Sequence, residues 1–173
     1  ASCLVGSEMC IRDSNMTDIM AAIGLVQLQR YDSLLQKRRN IIRRYDEMCN
    51  ELGVMHLNHY TESSSSSGHL YLTRVPGISD EQRRDIIIKL AEMGVSTNVH
   101  YKPLPMMSAY KKMGWDIKDF PNAYAYYENL ITLPLHTKLS DEMVEYVIKC
   151  FKKVIKEYIC LLYTSPSPRD KRQ

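Results

Sequence analysis

The chain has 173 residues, 45% of them hydrophobic and 25% charged, the profile of one globular domain and not of a fibrous or disordered chain. Its formal charge of +3 gives no argument for a nucleic-acid partner, and no apolar run approaches the ~20 residues of a membrane span. The cysteines Cys3, Cys10, Cys49, Cys150 and Cys160 lack the spacing of a zinc site or a redox CxxC pair, so a reduced, cytoplasmic setting is expected.

Residues 1–14 have no helical or strand period. Residues 160–173 break from a well-patterned helix into Ser165-Pro166-Ser167-Pro168 and then charge. Both pieces resemble translated adapter or vector sequence; the alternative is a pair of true disordered termini. Set aside as non-native read-through, they leave residues 15–159 as the part to be explained and make the chain a fragment.

Met16 to Leu52 predicts a helix. Thr17 or Asp18 can cap its start, Gly53 stops it, and Ile19, Ile23, Val26, Leu34, Ile41, Tyr45, Met48 and Leu52 recur on three- and four-residue steps or their multiples. At ~1.5 Å per residue it is over ~50 Å long, which calls for a kink near Arg30–Asp32 or a span between two domains. The basic run Lys37-Arg38-Arg39 reads as a solvated face, since Ile41 and Ile42 interrupt it and Asp46 and Glu47 follow. Val54 to Gly68 predicts a loop with one short strand at Val54–Leu57. His56 and His59 have no third ligand nearby, so no metal site is assigned.

His69 to Val75 alternates as a strand and ends at Pro76-Gly77. Ser79 and Gln82 form a capping box that opens a helix to Met93, with Ile86, Ile87, Leu90 and Met93 facing the core. Val95, Thr97 and Val99 predict a second strand over Val95–Tyr101, halted by Pro103 and Pro105, neither of which can donate to a ladder. Strand, helix and strand in that order predict an α/β layer. A short helix over Met107–Met113, a loop at Trp115–Asp119, a helix over Phe120–Asn129 and an extended Ile131–Leu133 follow. The last helix is capped by Ser140 and carries Met143, Val144, Val147, Ile148, Phe151, Val154, Ile155 and Tyr158 as its apolar stripe.

The groups with chemistry to offer collect where the second predicted strand ends. Asn98, His100, Tyr101 and Lys102 supply an amide, an imidazole, a phenol and an ammonium just before the chain turns, an arrangement that aims side chains into a cleft. The alternative is that His100 and Tyr101 are half-buried core residues with satisfied hydrogen bonds.

Five stretches carry a family likeness: residues 15–28 (NMTDIMAAIGLVQL), 69–71 (HLY), 94–104 (GVSTNVHYKPL), 120–123 (FPNA) and 133–136 (LPLH). In this order and spacing they resemble the C-terminal half of the DegT/StrS family of sugar aminotransferases, which use pyridoxal 5'-phosphate and have the type I aminotransferase fold. The resemblance implies an α/β fold class, with residues 15–53 as a long helix linking large and small domains and 54–159 as the small C-terminal α/β domain. It also implies a homodimer with its active site at the interface, a nucleotide-linked keto-sugar and an amino-acid donor such as glutamate as substrates, and a place in surface glycan synthesis.

His100 and Tyr101 match the family's His-aromatic pair at the substrate end of the cleft. There His100 would donate to a phosphate or sugar oxygen and Tyr101 would pack on the sugar face. Asn98 lies in the same stretch, and Lys102 would add positive charge for the diphosphate; the alternative is an exposed loop lysine. Asn15 stands where relatives often carry an Arg that reaches the partner subunit's substrate. The family's Gly-Tyr-Asn, whose Asn binds the cofactor phosphate, is replaced by Arg12-Asp13-Ser14. The Schiff-base lysine and the acid facing the pyridine nitrogen are expected upstream, so no catalytic or cofactor-binding residue is assigned in this chain. A dehydratase of the same family, with His in place of that lysine, shares all of these stretches. A non-catalytic dimerising α/β module is the rival from another class. His69, Tyr71 and His136 read as structural residues near the cleft.

Overall fold

The computed structural model describes residues 16–164, with side chains through Ile159. The segments 1–14 and 165–173 and the predicted site residue Asn15 lie outside the described residues. The chain divides into two compact units between Lys37 and Arg38.

Helix α1 is Asp18–Leu52. Its start is capped as the sequence predicts by Thr17, whose Oγ1 accepts from the Met20 N–H at 3.4 Å and whose carbonyl accepts from Ala21 at 2.8 Å. In the first unit the apolar residues Ile19, Met20, Ile23, Leu25, Val26 and Leu28 are exposed. In the second unit the last turns of α1 do the opposite: Ile41, Ile42, Tyr45, Met48 and Cys49 are buried. That unit therefore begins inside the helix.

The sheet has three antiparallel strands in the order β1-β2-β3: Met55–His56, Tyr71–Arg74 and Leu130–Leu133. In register, Tyr71 faces Leu133 and Arg74 faces Leu130. Between β2 and β3 come α2 (Asp80–Glu92), α3 (Ser108–Lys112) and α4 (Pro121–Glu128), with 3-10 turns at Leu104–Met106 and Ile117–Asp119. Helix α5, Asp141–Thr164, closes the fold. Its described backbone runs to Thr164.

The second strand expected at Val95–Tyr101 does not form. The segment meets β3 at one bridge only, Asn98 opposite Thr132. In that antiparallel register the next hydrogen-bonded pair would set Ser96 against Pro134, which has no N–H to give. The expected strand–helix–strand layer is therefore an antiparallel sheet, with β3 supplied from further along the chain.

The core lies between the sheet and the helices α1, α2 and α5. Val144, Val147, Ile148, Phe151, Val154, Ile155 and Tyr158 on α5 are buried with Ile86 and Leu90 on α2. Met143, assigned to the same stripe, is 55% exposed. Polar links tie α1 to its surroundings: the Tyr45 hydroxyl donates to the Pro134 carbonyl at 3.0 Å, and Arg44 pairs with Glu145 at 2.7 Å and Asp141 at 3.1 Å. Gly68 (φ +65) passes so close to α1 that a Cβ there would meet Ile42 Cδ1 at 2.8 Å.

Candidate substrate-binding site

The candidate site is built on the segment that follows α2. The capping box seen in the sequence forms: Ser79 Oγ accepts from the Gln82 N–H at 3.3 Å and Gln82 Oε1 accepts from the Ser79 N–H at 2.9 Å. At the other end Gly94 (φ +76) reverses the chain, and the Val95 N–H donates to Leu90 O at 2.9 Å. This turn buries Val95 and starts the segment toward β3.

Asn98 is the fixed point. Its N–H donates to Thr132 O at 3.2 Å, and the Thr132 N–H donates back to Asn98 O at 2.7 Å. Its side-chain oxygen accepts from the Val99 N–H at 2.8 Å. Two residues on, His100 is half-buried and its Nδ1 lies 3.0 Å from Thr132 Oγ1. The His100–Tyr101 peptide is cis. The two rings meet edge to face, with centroids 4.7 Å apart at 83°. Tyr101 is 69% exposed, and Lys102 beside it is exposed too. Pro103 and buried Pro105 then lead into the 3-10 turn, where Met106 N–H donates to Pro103 O and Met107 N–H to Leu104 O, each at 2.9 Å. A tethered imidazole beside an open phenol and an ammonium can recognise an oxygen-rich, anionic ligand: the ring nitrogen donates, the phenol stacks and donates, and the ammonium attracts.

Of the sequence-predicted residues, Asn98, His100, Tyr101 and Lys102 are thus brought into one segment held by β3. His69, Tyr71 and His136, read from the sequence as structural residues, lie outside that segment. His69 and His136 are exposed. Tyr71 is fully buried, donating to Asp46 Oδ1 at 2.7 Å under the stacked ring of His59. A cavity of about 410 Å³ lined by Val95, Ser96, Pro134, His136, Met143 and Tyr146 opens at the start of the segment, while His100 and Tyr101 stand at its end. It is mainly apolar and contains none of the four site residues.

Thr132 was not singled out from the sequence. Its signal was there: a lone hydroxyl residue inside Leu130-Ile131-Thr132-Leu133, a strand buried throughout. Arg83 was also missed. It is buried on α2, where it pairs with Asp80, donates to the Tyr127 carbonyl and lies 4.3 Å from the Tyr127 ring centroid.

The pattern of the DegT/DnrJ/EryC1/StrS aminotransferase family matches residues 5–152. The chain belongs to this family. The match begins inside the segment 1–14 and runs through every described element up to the middle of α5. Among relatives of the family, the chain is 32% identical over 149 residues to the spore coat polysaccharide biosynthesis protein SpsC of Bacillus subtilis, covering 82% of this chain and 37% of SpsC. A Streptococcus pneumoniae protein assigned as a sugar aminotransferase, solved in its apo form, matches with a TM-score of 0.80 and 55% identity over 87% of this chain and 38% of that one. The same protein has been solved in PLP and PMP forms, and the family depends on pyridoxal phosphate. The Helicobacter pylori aminotransferase PseC, involved in pseudaminic acid biosynthesis according to its description, matches with a TM-score of 0.71 and 26% identity over 83% of this chain and 38% of that chain. The fold class expected from the sequence, the C-terminal part of the PLP-dependent aminotransferase fold, is the fold observed. The chain spans little more than a third of the length of these relatives.

The described residues do not fit the role of covalent cofactor anchor. A lysine that forms an imine with pyridoxal phosphate must give up its proton readily, which burial or a neighbouring cation promotes. Among the described residues no lysine is buried. Lys89 is driven the other way: hydrogen bonds with Tyr158 and Glu157 favour its ammonium form. No step of the cofactor's chemistry is derived from these residues.

Proposed function

We propose that the chain is the substrate-side portion of a pyridoxal phosphate-dependent aminotransferase that moves an amino group from an amino acid such as glutamate to a keto group on a nucleotide-linked sugar. The intact protein works as a cytoplasmic homodimer with its active site at the interface and supplies amino sugars for surface glycans. Support comes from family membership and from relatives described as acting on dTDP- and UDP-linked sugars. The observation that carries the reading is His100, fixed to β3 through Thr132, next to an open Tyr101. No helix among the described residues is long and apolar enough to cross a membrane.

In this reading His100 donates to a phosphate or sugar oxygen. Tyr101 packs on the sugar face, Lys102 attracts the diphosphate, Asn98 holds the segment and offers its amide, and Asn15 is assigned to substrate binding as an uncharged residue at the position where relatives often carry an Arg. His100→Ala and Tyr101→Ala in the full-length protein should each weaken nucleotide-sugar binding by about tenfold, the loss of one hydrogen bond or stacking contact to a charged ligand. Calorimetric titration with a dTDP- or UDP-linked keto-sugar reads this directly, and unchanged affinity in both variants removes the assignment. Because the described residues include no imine-forming lysine, the purified 173-residue chain should show no transamination when supplied with cofactor, glutamate and keto-sugar. Measurable turnover would disprove that part of the proposal.

A further inference from the structure

Thr132 lies within β3 and is 4% exposed. Its flanking residues are apolar, so its hydroxyl must find a partner within the fold. The backbone of Thr132 is taken by Asn98 in both directions. Among the described residues, its side chain makes one hydrogen bond, the 3.0 Å contact with His100 Nδ1.

The direction of that bond follows from counting protons. A threonine hydroxyl has one proton to donate and lone pairs to accept with. If neutral His100 carried its proton on Nδ1, the hydroxyl would accept, and its own proton would be left buried without an acceptor, a costly arrangement. If the hydroxyl donates to Nδ1, both groups are satisfied and the ring proton sits on Nε2. A carboxylate at this position would also orient the ring, but it would add a negative charge next to a site meant for an anionic ligand. The hydroxyl orients without adding charge. Thr132 thus holds the segment through its backbone and the imidazole through its side chain.

We infer that Thr132 is a positioning residue: its hydroxyl donates to His100 Nδ1 and holds the imidazole as the Nε2–H tautomer. On the proposed substrate role of His100, the ligand atom that meets Nε2 is then a hydrogen-bond acceptor, a phosphate or keto oxygen. A group that can only donate is rejected there.

The test uses the full-length enzyme labelled with 15N-histidine, with the His100 ring signals assigned by their loss in His100→Gln. Wild type and Thr132→Ser should both show Nε2 protonated and Nδ1 unprotonated. Thr132→Val keeps the shape and removes the hydroxyl. It should show a mixed or reversed tautomer, a KM for the nucleotide sugar raised about tenfold and a kcat changed by less than about twofold. Unperturbed signals from the other histidines establish that this variant is folded. A wild-type ring protonated on Nδ1, or a Thr132→Val ring identical to wild type, overturns the inference; the wild-type ring decides alone if Thr132→Val does not fold. If Thr132→Val changes the tautomer while neither it nor His100→Ala alters KM, the tautomer assignment stands and the substrate role of His100 falls.

Discussion

His59 shows how one residue's environment becomes a property of the whole fold. It is 8% exposed, its ring stacks on Tyr71 with centroids 5.7 Å apart, and Nδ1 lies 3.2 Å from Ser66 Oγ. Its buried Nε2 has no hydrogen-bond partner among the described residues. Burial disfavours the imidazolium and lowers the pKa from 6.5; Asp46 opposes this and His56 adds to it. A histidine with a depressed pKa in the fold binds its proton more readily when unfolded. Its contribution to stability is therefore complete above about pH 6.5 and declines as the pH falls from there toward the folded value. The thermal midpoint should drop across that interval, and His59→Gln should flatten the drop. An equally steep pH dependence in the variant would place the titration on another group. At this scale the sequence was read well where neighbours along the chain decide, as in the Ser79–Gln82 box. It was read poorly where partners are distant, because nothing near His59 in the chain announces the stacked Tyr71 ring or the Asp46 carboxylate that Tyr71 donates to.

Among the elements, α2 is the one whose ends are written most plainly in the chain. Both reciprocal bonds of its capping box are present, and Asp80 and Glu81 occupy its first turn, where the helix dipole favours negative charge. Ser79→Ala should cost about 1 kcal/mol, seen as a lower urea midpoint with an unchanged slope, and Ser79→Thr should restore most of it. The segment Val95–Tyr101 teaches the opposite lesson. Its β-branched alternation is real, but a strand needs a partner with free donors and acceptors. β3 is four residues long, is paired to β2 on one side, and ends at a proline on the other. One bridge survives, and that bridge is what places His100 against Thr132. Helix α5 was predicted nearly completely because its apolar stripe is long and regular; Met143 alone escapes burial, at the rim of the 410 Å³ cavity.

For the whole molecule, the contrast along α1 is the main feature. Helix α1 carries exposed apolar residues from Ile19 to Tyr31 and buried ones from Ile41 to Cys49, and the second compact unit begins between them. The chain spans 37% of SpsC and 38% of the Streptococcus pneumoniae structure, and none of the lysines among its described residues is buried. The predicted inactivity of the 173-residue chain belongs to this scale, because it concerns the chain as a whole beside relatives more than twice its length.

The order and type of most helices, their caps, the stops at Gly53, Gly94 and Pro134, and the family were legible in the sequence, since these depend on local periodicity, backbone restriction and a motif read in register. Asn98, His100, Tyr101 and Lys102 stand out in the sequence as a run of polar groups ahead of two prolines, and the structure ties that run to β3 at Asn98 and His100. The sheet order, the loss of the second strand and the contact of Thr132 with His100 were not legible there. Thr132 and His100 are 32 residues apart and meet only because Asn98 pairs with β3, and β3 holds its register only because β2 occupies its other edge. Contacts of that kind are set by which backbone groups remain unpaired after the core has packed, and that is a property of the assembled fold.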